Sequence, residues 1–407
     1  MGINIRPVCT EDEWRQHSFV AAYAFNGDRG DDARDRKGAY YDWDWTLAAF
    51  DGDQLVAGLV VIPFEQYMEG AAIPLGGVAC VSCLPERRRA GYVSALLRRS
   101  LESMRDAGQV LSALWTPHYS LYRKYGWEVS GRMISYAFPP KVTKLRRQAS
   151  AGRSRRVTAD DWALLDGVYR AYHRPRSGAL ARTEARWRTQ TFRAFGHAHD
   201  AVLWEDSSGR ARGYALYRAA HRPSGSSPWG ETTLRVADWA ALDADAYAGI
   251  LQYLLNHDLV DQIVMLASAD EPLPDMFDEP VHIKQPASAW FGPMLRVVDV
   301  PRALEARPTL QQASGTAVTI ALTDASAPWN EGNWHIETSG GHIAAERTTA
   351  KAELEMDVCA LAPIYNGFTK PVDAVRAGSV RARSAEAVDA ATRIFATSFA
   401  PYCADDF

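Results

Sequence analysis

Residues 81–104 read VSCLPERRRAGYVSALLRRSLESM, and this stretch decides how the fold is interpreted. Its first residues continue an alternating pattern that is typical of a strand. After three arginines, Arg87 to Arg89, and the glycine Gly91, apolar residues recur on one face of a predicted helix. The first N–H groups of a helix lack intrahelical partners, and the helix dipole adds partial positive charge. A strand, a glycine turn and a helix in this order therefore predict an anion-binding site.

The bulk composition bounds the class of protein. The chain has 407 residues, 47% of them hydrophobic and 23% charged, which suffices for about two or three globular domains. A formal net charge of −4 gives no overall basic field, so no nucleic-acid partner is expected. The start MGINIRPVCT has no apolar leader, and no run of about twenty apolar residues occurs. We therefore expect no membrane span and a cytoplasmic location.

The cysteines are few and scattered. There are five in the whole chain, which does not resemble a secreted disulfide framework. Cys80 and Cys83 form a C-x-x-C pair, but no second pair or histidine cluster completes a zinc site. Buried structural thiols and no bound metal are the expectation.

A change of composition divides the chain. Residues 139–156 are basic and poor in large apolar side chains, which favours a linker. Before it, WEVSGRMISYAF (127–138) is expected to close the first strand-and-helix unit. A similar series follows the linker, without an arginine–glycine turn between a strand and a helix. A third region has alternating strands from Ala317 to Cys359 and then helices. The predicted fold class is α+β, with domains at residues 1–140, 150–300 and 301–407.

The turn at Gly91 resembles a known cofactor motif. Residues 88–93, RRAGYV, resemble the R/Q-x-x-G-x-G/A motif of GNAT acyltransferases, with Val93 where Gly or Ala is usual. In that family the turn binds the pyrophosphate of acetyl-coenzyme A, and guanidinium groups suit phosphate. The alternative is that the arginines only solvate the start of a helix. The resemblance implies acetyl-coenzyme A as cosubstrate, bound by Val81, Ser82, Cys83, Arg88, Arg89, Gly91, Tyr92, Val93 and Ser94.

The chain as a whole resembles the Eis (enhanced intracellular survival) family. The similarity rests on four segments in order, which are VSCLPERRRAGYVSALL (81–97), LYRKYGW (121–127), LRVVDVPRALEAR (295–307) and LAPIYNGF (361–368). It implies two tandem GNAT-type domains, the second without the cofactor motif, followed by a sterol-carrier-protein-like α/β domain. It also implies a homo-oligomer, a hexamer.

The resemblance further implies the catalytic groups. Amine acylation by a thioester requires a free amine, a polarised carbonyl and a proton for the departing thiolate. The family's Y-G-R-F-G-Y matches YRKYGW here, which assigns the general acid to Tyr122; Tyr125 is expected in the core, and Tyr119 could compete. The C-terminal carboxylate, here that of Phe407 beside Asp406, is assigned as general base. The alternatives are a merely packed Tyr122 and a frayed terminus.

An acidic and aromatic segment suits a cationic acceptor. Residues 25–45, FNGDRGDDARDRKGAYYDWDW, combine both residue types, although a solvated loop is the alternative. The resemblance places this segment beside the acceptor, so Asp28, Trp43 and Asp406 are the expected substrate contacts. His118 could face the same cleft.

The predicted function is acetyl-coenzyme A-dependent N-acetylation of a small-molecule amine, either an aminoglycoside, a polyamine or a lysine-like amine. Two alternatives stay open. One is an acyltransferase of natural-product biosynthesis with another acyl donor or a dedicated amine. The other is a lipid-binding protein with a vestigial transferase domain.

Overall fold

The computed structural model describes residues 3–27, 43–224, 227–283 and 290–407. Its strands form three sheets, one in each of three successive parts of the chain. Within the described ranges, no helix has the length and apolarity needed to cross a bilayer.

The first sheet holds the cofactor turn that the sequence predicts. Its strands are β1 (Asn4–Pro7), β2 (Thr46–Asp51), β3 (Gln54–Met68), β4 (Ala71–Cys83), β5 (Leu111–Leu114), β6 (Glu128–Val129) and β14 (Met294–Val297), in the order β1-β2-β3-β4-β5-β14-β6. Its helices are α1 (Glu11–Ala24), α2 (Tyr92–Asp106) and α3 (Tyr119–Arg123). Helix α2 buries Leu96, Leu97 and Leu101, the apolar face that its spacing predicts.

The second sheet repeats this pattern. Its strands are β7 (Arg132–Phe138), β8 (Arg153–Val157), β9 (Asp200–Glu205), β10 (Ala211–Ser224), β11 (Ser227–Ala241), β12 (Gln262–Ser268) and β13 (Trp290–Phe291), in the order β13-β7-β12-β11-β10-β9-β8. Its helices are α4 (Trp162–His173), α5 (Glu184–Thr189) and α6 (Ala244–Leu255). Strand β8 begins inside the predicted linker, because Arg153 to Val157 pair with β9.

The third sheet lies in the C-terminal region. Its strands are β15 (Ala317–Thr323), β16 (Gly332–Ser339), β17 (His342–Arg347), β18 (Leu354–Asp357) and β19 (Val380–Ala382), in the order β17-β16-β15-β18-β19. Its helices are α7 (Val300–Ala306), α8 (Val358–Tyr365), α9 (Pro371–Arg376) and α10 (Ala385–Ile394). The strands end at Asp357 rather than at Cys359, because the Asp357 side chain accepts a hydrogen bond from Ala360 N and begins α8. The prediction of two GNAT-type domains followed by a sterol-carrier-protein-like domain agrees with this succession of sheets.

Two strands are exchanged between the first and second sheets. The prediction that residues 127–138 close the first unit is wrong for β7, which pairs with β12 and β13 of the second sheet. In return β14, which follows the second unit along the chain, lies between β5 and β6 of the first sheet. Apolar alternation sets which face of a strand is buried but not its neighbours, so the exchange has no local signal. The boundaries 1–140, 150–300 and 301–407 stay a proposal, and these two strands cross them.

Candidate active site

The helix start at Gly91 leaves backbone donors open. Gly91 has φ +92° and directly precedes α2, which no side chain caps. The first backbone bond of the helix runs from Ala95 N to Gly91 O at 3.0 Å, so the preceding N–H groups have no intrahelical acceptor. By contrast α1 begins at Thr10, whose side chain accepts from Glu13 N. An uncapped start with exposed donors fits an anionic ligand.

The three arginines have different surroundings. Arg87 forms an ion pair with Asp51 at 2.9 Å, so its charge already has a partner in the protein. Arg88 Nε donates to the carbonyl oxygen of Cys83 at 3.4 Å, which keeps this exposed side chain beside the end of β4. Arg89 is exposed and has φ +65°, a left-handed conformation that is uncommon outside glycine. Arg88 and Arg89 therefore remain next to the helix start.

Strands β4 and β5 separate beside this turn. They pair in parallel at only three positions, the last of which joins Gly77 to Ala113, whereas β4 continues to Cys83. A bulge interrupts the β3–β4 ladder in the same stretch, where Cys80 and Val81 stand opposite Leu59. Because β4 continues beyond its last pair with β5, we infer a cleft between the two strands, and the β4 side of this cleft leads to the turn at Gly91. Cys80 and Cys83, which are expected to be buried structural thiols, are both free thiols; Cys83 is buried and Cys80 is half-buried.

The predicted cofactor residues lie at the end of β4 and at the start of α2. Ser82 and Cys83 are buried at the end of β4, where they pair with Gly58 and Ala57 of β3. Val81, Tyr92 and Val93 pack against one hydrophobic cluster with Cys83. Within the described ranges, no group of three or more His, Cys, Asp or Glu side chains has the spacing to hold a metal ion.

Tyr122 belongs to that same cluster. Its ring is buried and meets Trp127 edge to face at a centroid distance of 6.4 Å. Burial raises the pKa of Tyr122 to about 12, because it disfavours the charged phenolate. Tyr125 is buried as predicted, whereas the competing Tyr119 is half-buried and packs on Phe291 at 5.8 Å. His118 is exposed at the start of α3.

Phe407 lies against the first sheet. Its ring packs on Phe64 at a centroid distance of 5.2 Å, with an interplanar angle of 60°. A Cβ atom added at Gly77 would lie 3.0 Å from Phe407 Cε2, so the ring sits at the last residue of β4 that pairs with β5. The C-terminal residue is therefore docked at the opening of the cleft.

Two buried ion pairs anchor the tail that carries Phe407. Asp405 contacts Arg182 Nε at 2.9 Å and Arg186 Nε at 3.2 Å. Burial acts to raise the pKa of Asp405, but the charges and hydrogen bonds of Arg182 and Arg186 outweigh it and lower this pKa to about 2. Trp115 Nε1 donates to Asp405 O at 2.9 Å, and Arg186 Nη2 donates to Asp406 O at 2.8 Å. The second domain therefore holds the tail in the first.

A buried arginine fixes the start of the tail. Arg307 donates to Ile394 O at 3.0 Å, Phe395 O at 3.0 Å and Ala396 O at 3.1 Å, the carbonyl groups where α10 ends. It also donates to Tyr365 O at 2.7 Å. Burial lowers the pKa of Arg307 to about 10, but the group stays charged near neutral pH. Cations stabilise the C-terminal end of a helix, so Arg307 sets where the chain leaves α10.

A cavity of about 470 Å³ lies beside the end of the tail. Its lining includes Ala404 and Asp406 of the tail, Trp115 after β5, and the paired residues Ser135 and Leu266 of the second sheet. Asp406, one of the predicted acceptor contacts, therefore lines a cavity. Asp28 falls outside the described residues, and Trp43 begins a short 3₁₀ turn, Trp43–Trp45.

The tail anchors were not found by sequence reasoning. Arg182 and Arg186 are separated by three residues in ARTEARWR (181–188), and Asp405 is one of two adjacent aspartates near the terminus. The repeated arginines were the available signal, but Glu184 lies between them and offers a local acidic partner. Nothing local, however, pairs them with an aspartate more than two hundred residues away.

Comparison with known proteins agrees with this architecture. Two different family models, each described as an acetyltransferase (GNAT) domain, match the chain. One matches residues 4–130 and the other matches residues 178–297. A sterol carrier protein domain matches residues 300–404. The second GNAT match supports the predicted duplication, and its residues have no arginine–glycine turn between a strand and a helix.

Whole-chain similarity gives the same result. An uncharacterized N-acetyltransferase of Streptomyces avermitilis is 26% identical, with 98% of both chains covered. The N-acetyltransferase Eis of Mycobacterium tuberculosis is 22% identical, again with 98% of both chains covered. The crystal structure of Eis1 from Mycobacterium abscessus superposes with a TM-score of 0.84 at 25% identity, and each chain is covered completely. A GCN5-related N-acetyltransferase of Anabaena variabilis superposes with a TM-score of 0.88 at 22% identity, also over both complete chains, and supports the fold. The chain therefore belongs to the Eis-like family of GNAT N-acetyltransferases and is an acyltransferase enzyme.

Proposed function

We propose that the enzyme transfers an acetyl group from acetyl-coenzyme A to a primary amine by direct attack, with Tyr122 as general acid and the Phe407 carboxylate as general base. The observation that carries this proposal is the position of Phe407, which packs at Gly77 where β4 and β5 part. A merely frayed terminus would not be held there by buried ion pairs.

The cosubstrate fits the residues around the cleft. Acetyl-coenzyme A supplies a thioester whose carbonyl carbon forms the new C–N bond while its C–S bond breaks. The uncapped amides at Gly91 and the exposed Arg88 and Arg89 would bind its pyrophosphate. Tyr122, protonated at neutral pH, gives its proton to the departing sulfur. The Phe407 carboxylate takes the proton that the amine nitrogen loses.

The acceptor is proposed to bind in the cavity at Asp406. That cavity is large enough for a small molecule and reaches the residue before the terminal carboxylate. An amine held there would meet the cleft from the side of the tail. Proximity of this kind lowers the entropic part of the barrier.

The third domain is proposed to position the tail rather than to bind lipid. Leu361 and Tyr365 are completely buried and Trp334 almost so, and together they fill the space between its sheet and its helices. Arg307 lies in the same interior and binds the end of α10. The hexamer and the cytoplasmic location stay predictions, and sedimentation of the purified protein would test the hexamer.

Thiol release tests the proposed reaction. The protein is mixed with acetyl-coenzyme A and a panel of primary amines, and free coenzyme A is measured with a thiol reagent. We expect a release of coenzyme A that requires both the amine and the protein. A propionyl-coenzyme A donor, tested in parallel, measures the acyl preference. Absence of release with every amine, together with no calorimetric binding of coenzyme A, would remove the proposal.

A further inference from the structure

Two arginines face each other across neighbouring strands of the cavity wall. Arg218 of β10 and Arg235 of β11 are direct partners in the antiparallel ladder, and both line the cavity at Asp406. Like charges directly opposite each other destabilise a strand pair. Among the described residues, no carboxylate forms an ion pair with either guanidinium. Such a pair becomes favourable when an anion lies between the two groups.

Two histidines extend this basic wall. His197 and His199 line the same cavity, and His199 Nδ1 is buried without a hydrogen-bond partner. Burial lowers the pKa of His199, and the charge of Arg218 lowers it further. A neutral imidazole remains able to donate one hydrogen bond to a bound oxygen. The ladder also carries a bulge beside Arg235, since Leu216 pairs with Asp238 and Tyr217 with Val236. A bulge redirects neighbouring side chains, as at many binding sites.

The cavity therefore has a basic end and a tail end. Arg218, Arg235 and the two histidines come from the second domain, whereas Ala404 and Asp406 come from the tail that carries Phe407. A ligand that spans the cavity would meet cationic donors at one end and the reacting groups at the other. A polycation would instead bring positive charge against unpaired guanidinium groups.

We propose that the acceptor carries an anionic group, a carboxylate or a phosphate, which Arg218 and Arg235 bind while its primary amine points to the tail. This inference rests on the proposed N-acetyltransferase function. It narrows the three predicted amine classes to the lysine-like one, because polyamines and unmodified aminoglycosides have no such group. Guanidinium pairs bind both carboxylate and phosphate, so the two anions need separate tests.

Three acceptors of equal chain length test the proposal. They are 6-aminohexanoate, 6-aminohexanamide and 1,6-diaminohexane, whose far ends are anionic, neutral and cationic. We expect kcat/KM for 6-aminohexanoate to exceed that for the amide by at least about tenfold, as one charge-assisted contact allows. The diamine should be poorer still. A matched aminoalkyl phosphate then separates the two anions.

Variants connect this preference to the arginines. The double variant Arg218→Gln/Arg235→Gln should lose the preference through KM, and Arg218→Lys/Arg235→Lys should keep much of it. Arg393→Gln, on the exposed side of α10, removes an equal charge outside the cavity and should keep the full preference. Thermal unfolding of each variant confirms folding.

The outcomes separate the two proposals. Equal rates with all three acceptors, or an unchanged preference in the folded double glutamine variant, would overturn the anionic acceptor and leave N-acetylation standing. Without any thiol release, N-acetylation fails. In that case the binding of 6-aminohexanoate is measured by calorimetry. Binding to the wild type that the double glutamine variant loses still supports the anion site, and no binding to the wild type refutes the anion site.

Discussion

Tyr122 and Phe407 lie on opposite faces of the first sheet, at the place where β4 leaves β5. Tyr122 shares its cluster with Val61 and Val78, whereas Phe407 packs with their neighbours Val60, Ile62 and Ala79. Successive residues of a strand point to opposite faces, so these two sets mark the two sides of β3 and β4. The proposed proton donor and the proposed proton acceptor therefore lie on opposite sides of these two strands.

Replacing Tyr122 should slow the chemical step. Tyr122→Phe keeps the ring in its cluster but removes the proton, so kcat should fall by at least about tenfold. KM for acetyl-coenzyme A should change little, because the loss falls on the transition state. Tyr119→Phe is the matched control and should stay near the wild type in thiol-release assays. The reverse pattern would assign the acid to Tyr119.

The value of kcat should stay constant into the alkaline pH range. A tyrosine with its ordinary pKa of about 10 would lose its proton through that pH and the rate would fall. Burial raises the pKa of Tyr122 to about 12, so its proton is retained further into the alkaline range. We expect kcat with a fixed acceptor to stay level from about pH 9 to about pH 10.5, after correction for thioester hydrolysis. A decline centred near pH 10 in the wild type, absent from Tyr122→Phe, would mean that this pKa is not raised.

Replacing Gly91 should weaken the binding of acetyl-coenzyme A specifically. Gly91→Ala strains a left-handed position and places a methyl group where the pyrophosphate would approach. KM for acetyl-coenzyme A should rise by at least about tenfold, since the contact is made before and during reaction. Gly209→Ala is matched in backbone, with φ +79° and nothing within 4 Å of an added Cβ, but lies in the second domain. Gly209→Ala should lose a little stability and keep the wild-type KM for acetyl-coenzyme A. Equal KM values for Gly91→Ala and Gly209→Ala would argue against a pyrophosphate site at Gly91.

The Asp405 anchor should stabilise the folded chain. Asp405→Asn removes a negative charge that compensates the buried positive charges of Arg182 and Arg186. We therefore expect the free energy of unfolding in urea to drop by about 3 kcal/mol. Glu102→Gln, which removes an exposed pair with Arg99, should change it little.

Low pH should weaken the ion pairs that Asp405 forms. The folded pKa of Asp405 is lowered to about 2, below the ordinary value of about 3.9. Its contribution to stability is therefore complete above about pH 4 and is lost as the pH falls toward 2. Wild-type unfolding in this window should show a loss that Asp405→Asn does not share. Parallel curves for the two proteins would contradict the anchor.

The sequence predicts what is local in this fold. The turn at Gly91 and the apolar face of α2 follow from spacing and glycine placement within one short segment, and the structure has both. The succession of three domains follows from a change in composition and from segments that resemble a known family. Each of these features is encoded within a few tens of residues.

Long-range pairing could not be predicted in the same way. The exchange of β7 and β14 depends on which strand edges meet, and an alternating pattern does not carry that information. The contact between Asp405 and Arg182 joins residues 223 positions apart. The opposed Arg218 and Arg235 need the register of β10 and β11, which includes a bulge. Most of residues 25–45, where an acidic acceptor segment is expected, lies outside the described residues, whereas the cavity wall at Arg218 and Arg235 is basic.

The central claim is that the terminal carboxylate works at the cleft, and moving it is the most direct test. Adding one glycine after Phe407 keeps the ring and shifts the charge by about 3.5 Å, while deleting Phe407 removes the ring and draws the charge back by a similar length. Phe407→Ala keeps a carboxylate at the native position of the chain end and separates the role of the ring. We predict that the extension and the deletion each lower kcat by at least about tenfold in thiol-release assays, with a smaller loss for Phe407→Ala. Near-wild-type rates for the extended and the shortened enzymes, with both folded, would contradict the account.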